Sequence, residues 1–200
     1  MSLANRDAFP GVIACTWPRR GKISPTMAAK VRKLAQRVRR EAGFGPLHVT
    51  HVGAVAKHLG AEIRLVLTPY AGCTTREGDR WVCIVAEWLA RDPASVRMVA
   101  AHELGHWSFR CVEPHLVSEF ESPLEEEFGA HLFANELILP ATLARRAHAE
   151  LNGDTLAAAK QTYALIDLVE KRWRSMRLRP EAYEAEEAAG RNTRRIEGAA

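Results

Sequence analysis

The chain has 200 residues, enough for one domain or one domain with a small appendage, and 47% of them are hydrophobic against 26% charged. That balance excludes a mainly disordered, collagenous or coiled-coil protein, and no apolar run approaches the roughly 18 residues of a membrane-spanning helix. The formal charge of +4 admits a nucleic-acid partner, but its distribution says more than its sum, because the basic residues concentrate between Arg19 and Arg40.

Residues 1–25 carry Pro10 and Pro18, show no periodicity and read as a flexible N-terminal arm, without the apolar stretch of a signal peptide. From Thr26 the apolar positions Met27, Val31, Leu34 and Val38 recur at helical spacing until Gly43. The opposite face presents Lys30, Lys33, Arg37 and Arg40, read first as a solvated helix face and only second as a nucleic-acid surface. A short helix follows with Thr50 as its N-cap and Gly60 past its end. Ile63, Leu65 and Leu67 then alternate as in a half-buried strand.

The stretch from Gly72 to Arg80 reads as turn-rich, and the apolar run from Trp81 to Val85 as a second, exposed strand able to pair with an extended substrate. Asp92 and Pro93 open a long helix. After an irregular stretch, Ser122-Pro123-Leu124-Glu125 is a capping box opening a helix to about Leu139, where Pro140 ends it. A helix to about Glu150 and two shorter ones, from Thr155 and from Asp167, complete the pattern, and residues 180–200 read as a disordered tail. The four cysteines form no C-x-x-C pair and are expected to be reduced and structural, so the chain is expected to be cytoplasmic.

Chemistry concentrates in His102-Glu103-Leu104-Gly105-His106. At about 100° per residue two histidines four apart lie about 40° from each other, close enough for both imidazoles to reach one ion. Glu103 falls to the side, outside the ligand shell but within reach of a water on that ion as general base. A catalytic zinc takes three protein ligands, so a third is required. The candidates are Glu113, His115, Glu119, Glu121, Glu125, Glu126, Glu127 and His131. Glu127 is favoured because a helix holds a ligand more precisely than a loop, and because it shares a face with Ala130, His131 and Ala134.

The run from Glu127 through Gly129-Ala130-His131, Phe133-Ala134 and Leu137 to Pro140 resembles the E-x-x-A-N-x-F-A-x-x-L-L-x-P signature of the ImmA/IrrE-type metallopeptidases. With Ala101 to His106 upstream, two motifs stand in the right order, and the resemblance spans about residues 28–178. It implies an α+β, zincin-like fold with a small sheet, an active-site helix, a following ligand helix and a C-terminal helical segment. The metallopeptidase domain would occupy 26–150 and the helical segment 151–179.

The resemblance further implies one zinc per chain on His102, His106 and Glu127, with Glu103 as base, and a helix-turn-helix transcriptional repressor as protein substrate. His131 departs from the family's asparagine, and its role is open between support of a ligand, packing, a transition-state donor and a competing ligand. Two rival readings share the ligands: a metal-containing regulator that binds a repressor or nucleic acid without cutting it, and a zinc hydrolase of a non-peptide substrate.

Overall fold

The structure, a computed structural model, describes residues 13–14 and 23–178. Most of the expected N-terminal arm and the whole 180–200 tail lie outside the described residues.

In chain order, strand β1 (Ile13–Ala14) precedes helix α1 (Pro25–Glu41), α2 (Val52–His58), β2 (Ala61–Val66), β3 (Gly72–Glu77) and β4 (Arg80–Ala86). Helices α3 (Pro93–Cys111), α4 (His115–Glu119), α5 (Pro123–Ile138), α6 (Ala141–Glu150), α7 (Thr155–Thr162) and α8 (Ile166–Ser175) follow. The described residues thus make an α+β fold of eight helices and a small mixed sheet in the order β1-β3-β4-β2, with β2 parallel to β4 and the other pairs antiparallel. No helix among them is long and apolar enough to cross a membrane.

Proline and a capping side chain start the three long helices. Ser24, Asp92 and Ser122 accept from Met27 N, from Ala94 N and Ser95 N, and from Glu125 N, each with proline in the first turn. Helix α3 lies against β3 and β4 on one side and α5 on the other, so its residues Met98 through Phe109 are all buried. At the closest approach of α3 and α5, a Cβ on Gly105 would stand 3.1 Å from Ala130 Cα, which is why two such small residues face each other here. Helix α1 covers the far side of α5. Trp173 of α8 is buried and donates to Ala144 O at 2.9 Å, so the 151–178 helices close the same core rather than forming a separate body.

Four expectations need correction. The Gly72 to Arg80 stretch is not only turn: Gly72–Glu77 forms β3, whose Thr-Thr-Arg-Glu sequence lacks apolar alternation but pairs along its length with β4. The run from Trp81 to Val85 is not exposed, since β4 is flanked by β2 and β3 and has no edge to offer a substrate. Ile13–Ala14 is not free arm but pairs with Thr74 and Cys73 of β3. His51 rather than Thr50 caps α2, its Nδ1 accepting from Ala54 N at 3.1 Å. The Thr50 hydroxyl instead donates to Leu137 O and accepts from the buried Arg39 Nε.

The capping box at Ser122 is half of one. Its serine accepts from Glu125 N, but the Glu125 carboxylate accepts from Ser24 N at 2.8 Å and Glu121 N at 2.7 Å, tying the starts of α1 and α5 together.

Candidate metal centre

The two helices of the core bring three candidate residues together. His102 and His106 point from α3 toward Glu127 of α5, and these three form a group able to hold a metal ion. His102 Nε2 and His106 Nε2 are 3.2 Å apart; Glu127 places Oε2 3.3 Å from the first and Oε1 3.3 Å from the second. Tetrahedral ligands at about 2.0 Å from an ion are separated by about 3.3 Å, so each of these pairs is near ligand spacing, and one donor atom per residue can be chosen with all three within 4.8 Å of one another. Glu113, His115, Glu119, Glu121, Glu125, Glu126 and His131 lie outside the group.

Glu126 does something that sequence reasoning missed. Its Oε1 accepts from His106 Nδ1 at 2.8 Å and from Arg110 at 2.6 Å. With the imidazole proton assigned to Nδ1 by this bond, Nε2 keeps its lone pair for a cation. The only sequence signal was its place beside Glu127, one step around α5. His102 has an aromatic neighbour instead: the His131 ring is tilted against it with centroids 4.5 Å apart.

Burial and charge set the protonation of the group. Burial pushes His102 down, whereas in His106 the bonds to Glu126 and Glu127 outweigh burial and push it up to about 9. The same two histidines overcome burial of Glu127 and hold it at about 2. Burial, followed by the neighbouring His102, pushes His131 down to about 3. The electrostatics of the cluster therefore favour one positive charge on it.

Glu103 is fully buried and belongs to the sheet side of α3. The Thr74 hydroxyl of β3 donates to its Oε2 at 2.8 Å, while Oε1 has no hydrogen-bond partner among the described residues. Burial pushes this carboxyl up to about 7. Gly72 explains how it fits, because a Cβ there would meet Val99 Cγ1 at 2.4 Å and Glu103 Oε1 at 3.0 Å. A buried carboxylate with one free oxygen, beside three ligand atoms at ion spacing, is a donor set that suits a dication and a polarised water.

The basic face of α1 is partly spoken for. Lys30 pairs with Glu119 and Arg37 with Glu113, which agrees with a surface helix face balanced within the chain.

No family model matches the chain, and no curated protein matches it either. Among solved structures the chain is similar to one named as a Mycobacterium tuberculosis transcriptional regulator, with a TM-score of 0.54 and 18% identity. The match covers 72% of this chain and 46% of that one, so this chain corresponds to less than half of that protein's length, and the likeness is one of fold.

Proposed function

We propose that this protein is a zinc-dependent endopeptidase of the ImmA/IrrE type, with a zincin-like arrangement of its metal helix and ligand helix. The observation that carries the reading is the convergence of one donor atom each from His102, His106 and Glu127 to within 4.8 Å of one another, with Glu103 outside the ligand set.

Two imidazoles and a carboxylate suit zinc. Bound there, the ion would supply Lewis-acid polarisation of a scissile carbonyl and a lowered water pKa. Glu103 takes the proton of the attacking water on Oε1, the oxygen that Thr74 leaves free, and later passes it to the departing amine. A carboxyl held at about 7 is matched to giving and taking that proton near neutrality. Glu126 keeps His106 in the orientation and tautomer that ligation needs.

The substrate of this reading is a protein, a helix-turn-helix transcriptional regulator in the cytoplasm, as the resemblance implies. Direct nucleic-acid binding is not favoured, because two of the four basic side chains on the exposed face of α1, Lys30 and Arg37, are already paired. One observation favours the rival, a metal-containing regulator that does not cut: both histidines and Glu103 are fully buried, leaving Glu127 as the group nearest the surface.

Mass spectrometry of a candidate regulator incubated with the zinc-loaded protein and with Glu103→Gln separates the two. Fragments from the wild type alone support proteolysis. Capture of the regulator by both proteins with fragments from neither supports the rival.

A further inference from the structure

Lys30 and Arg37 of α1 are paired with acids beside α4, but the helix carries a second set of cations that are not. Arg32, Lys33 and Arg40 are exposed, and no carboxylate among the described residues pairs with any of them. At about 100° per residue they fall, with Gln36, inside about 100° of the helix surface.

This stripe borders a cleft of about 360 Å³ between the C-terminal end of α1, the loop after it and the start of α6. Arg40 and the buried Arg39 line it, with Phe44, Pro46 and Pro140 as apolar walls. Arg39 donates to Thr50 Oγ1, Gly45 O and His48 O, which satisfy its geometry but carry no charge. Glu136 is the one acid of the lining, and Arg172 of α8 pairs with it. The cleft therefore keeps two guanidinium charges that no carboxylate of the described chain offsets.

The complement stands in the sequence just after the described residues. Glu181-Ala182-Tyr183-Glu184-Ala185-Glu186-Glu187 has four glutamates in seven residues, and no basic residue lies between Glu181 and Gly190. Helix α8 delivers the chain to this side of the molecule. Its Arg172 touches the Glu136 that lines the cleft, and Leu178, which donates to Trp173 O at 3.0 Å, is six residues further on. Even fully extended those six residues cover about 20 Å, whereas the chain from Leu178 to Glu187 spans up to about 30 Å. The cleft is within reach.

We propose that residues 181–187 of this chain dock in the cleft between α1 and α6, their carboxylates on the Arg39 and Arg40 guanidinium groups and Tyr183 against Phe44 and the two prolines. Tyrosine suits such a wall, since its ring packs on apolar groups while its hydroxyl stays in water. A tethered segment needs little intrinsic affinity, because its effective concentration is on the order of 1 mM. Docking ties the chain beyond α8 back onto α1 and hides the basic stripe from other polyanions.

Photo-crosslinking of the full chain tests this, with benzoylphenylalanine in place of Tyr183 and mass spectrometry to map the products. The expected cross-links fall on residues 36–46 and 140–142, and within one chain when light and isotopically heavy protein are mixed at about 1 µM. Charges in contact with solvent are screened, so the yield should fall at least about fivefold between about 0.05 and 0.5 M salt. Arg40→Glu, shown folded by circular dichroism, should lower it by a similar factor, and Arg40→Lys should keep it. Absent cross-links, cross-links confined to other elements, products only between light and heavy chains, or a yield indifferent to salt or to Arg40→Glu would each overturn the proposal.

Discussion

Nδ1 of His106 lies 2.8 Å from Oε1 of Glu126, one residue before the carboxylate that reaches the other side of the same imidazole. Consecutive glutamates on α5 thus face one imidazole from two sides, and in the proposed reading Glu126 orients the ring while Glu127 joins it in holding the metal. Losing such an orienting partner typically lowers metal affinity about 10- to 100-fold without abolishing binding. Glu126→Ala should therefore weaken zinc binding in a competition titration by that factor, with circular dichroism unchanged. Affinity equal to wild type would deprive Glu126 of this role.

The three ligand positions should behave differently from Glu126 and from His131. His102→Ala, His106→Ala and Glu127→Ala each remove one of three donors and should lose stoichiometric metal by elemental analysis. His131→Asn should keep both metal and activity, since His131 stands outside the ligand group. Retention of metal in Glu127→Ala with loss in His131→Asn would reverse the assignment.

Much of this centre is legible in the amino-acid sequence, and the reason is local. The spacing of His102 and His106 and the caps at Asp92 and Ser122 are properties of single helices, where sequence separation maps directly onto direction. Thr74 and Glu126 could not be read that way. Thr74 reaches Glu103 because β3 inserts beside β4 rather than forming a loop, and Glu126 reaches His106 because α5 crosses α3 where Gly105 and Ala130 allow close approach. Both contacts depend on how elements pack, as does the central position of β4, whose apolar sequence reads instead as an exposed strand.

Thr74 should tune the base. Burial raises the Glu103 pKa to about 7, and the Thr74 hydrogen bond opposes that rise by favouring the carboxylate. Thr74→Val removes the donor, so the pKa should climb further and the acid limb of kcat/KM should move to higher pH, by about one unit for a bond to a charged group. The rate at pH 7 then falls while the high-pH plateau approaches wild type. Thr74→Ser keeps the hydroxyl and should restore the profile. A uniform loss at every pH would instead mark Thr74 as a packing residue.

Metal binding should expel a proton. His106 is held up to about 9 by Glu126 and Glu127, so it is protonated at pH 8, whereas ligation requires its neutral form. Glu103, at about 7, is mostly ionised at that pH and contributes little. Affinity should therefore fall as pH drops below about 9, by about tenfold per unit on account of one proton. Titration calorimetry at pH 8 in buffers of different ionisation enthalpy should give a slope near one proton per metal. A slope of zero would mean that His106 is neutral in the metal-free protein.

Strand β1, at the edge of the sheet, should govern substrate access. Ile13 pairs with Thr74 and Ala14 with Cys73, so the chain's own backbone occupies the side of β3 next to the residue that holds Glu103. A protein substrate in extended form gains most from adding to a sheet edge, because its backbone hydrogen bonds are then made independently of its side chains. With β4 enclosed on both sides, the edge nearest Glu103 is that of β3. Substrate and Ile13–Ala14 would then compete for one ladder, and a tethered competitor acts at high effective concentration. Deleting residues 1–22 should lower KM with little change in kcat, since neither the ligands nor Glu103 is touched. Adding the 1–22 peptide in trans to the truncated protein should raise KM again. Kinetics on a regulator-derived peptide decide it: an unchanged KM after truncation would show that substrate approaches by another edge, and a fall in kcat alone would show that the segment supports the site instead of blocking it.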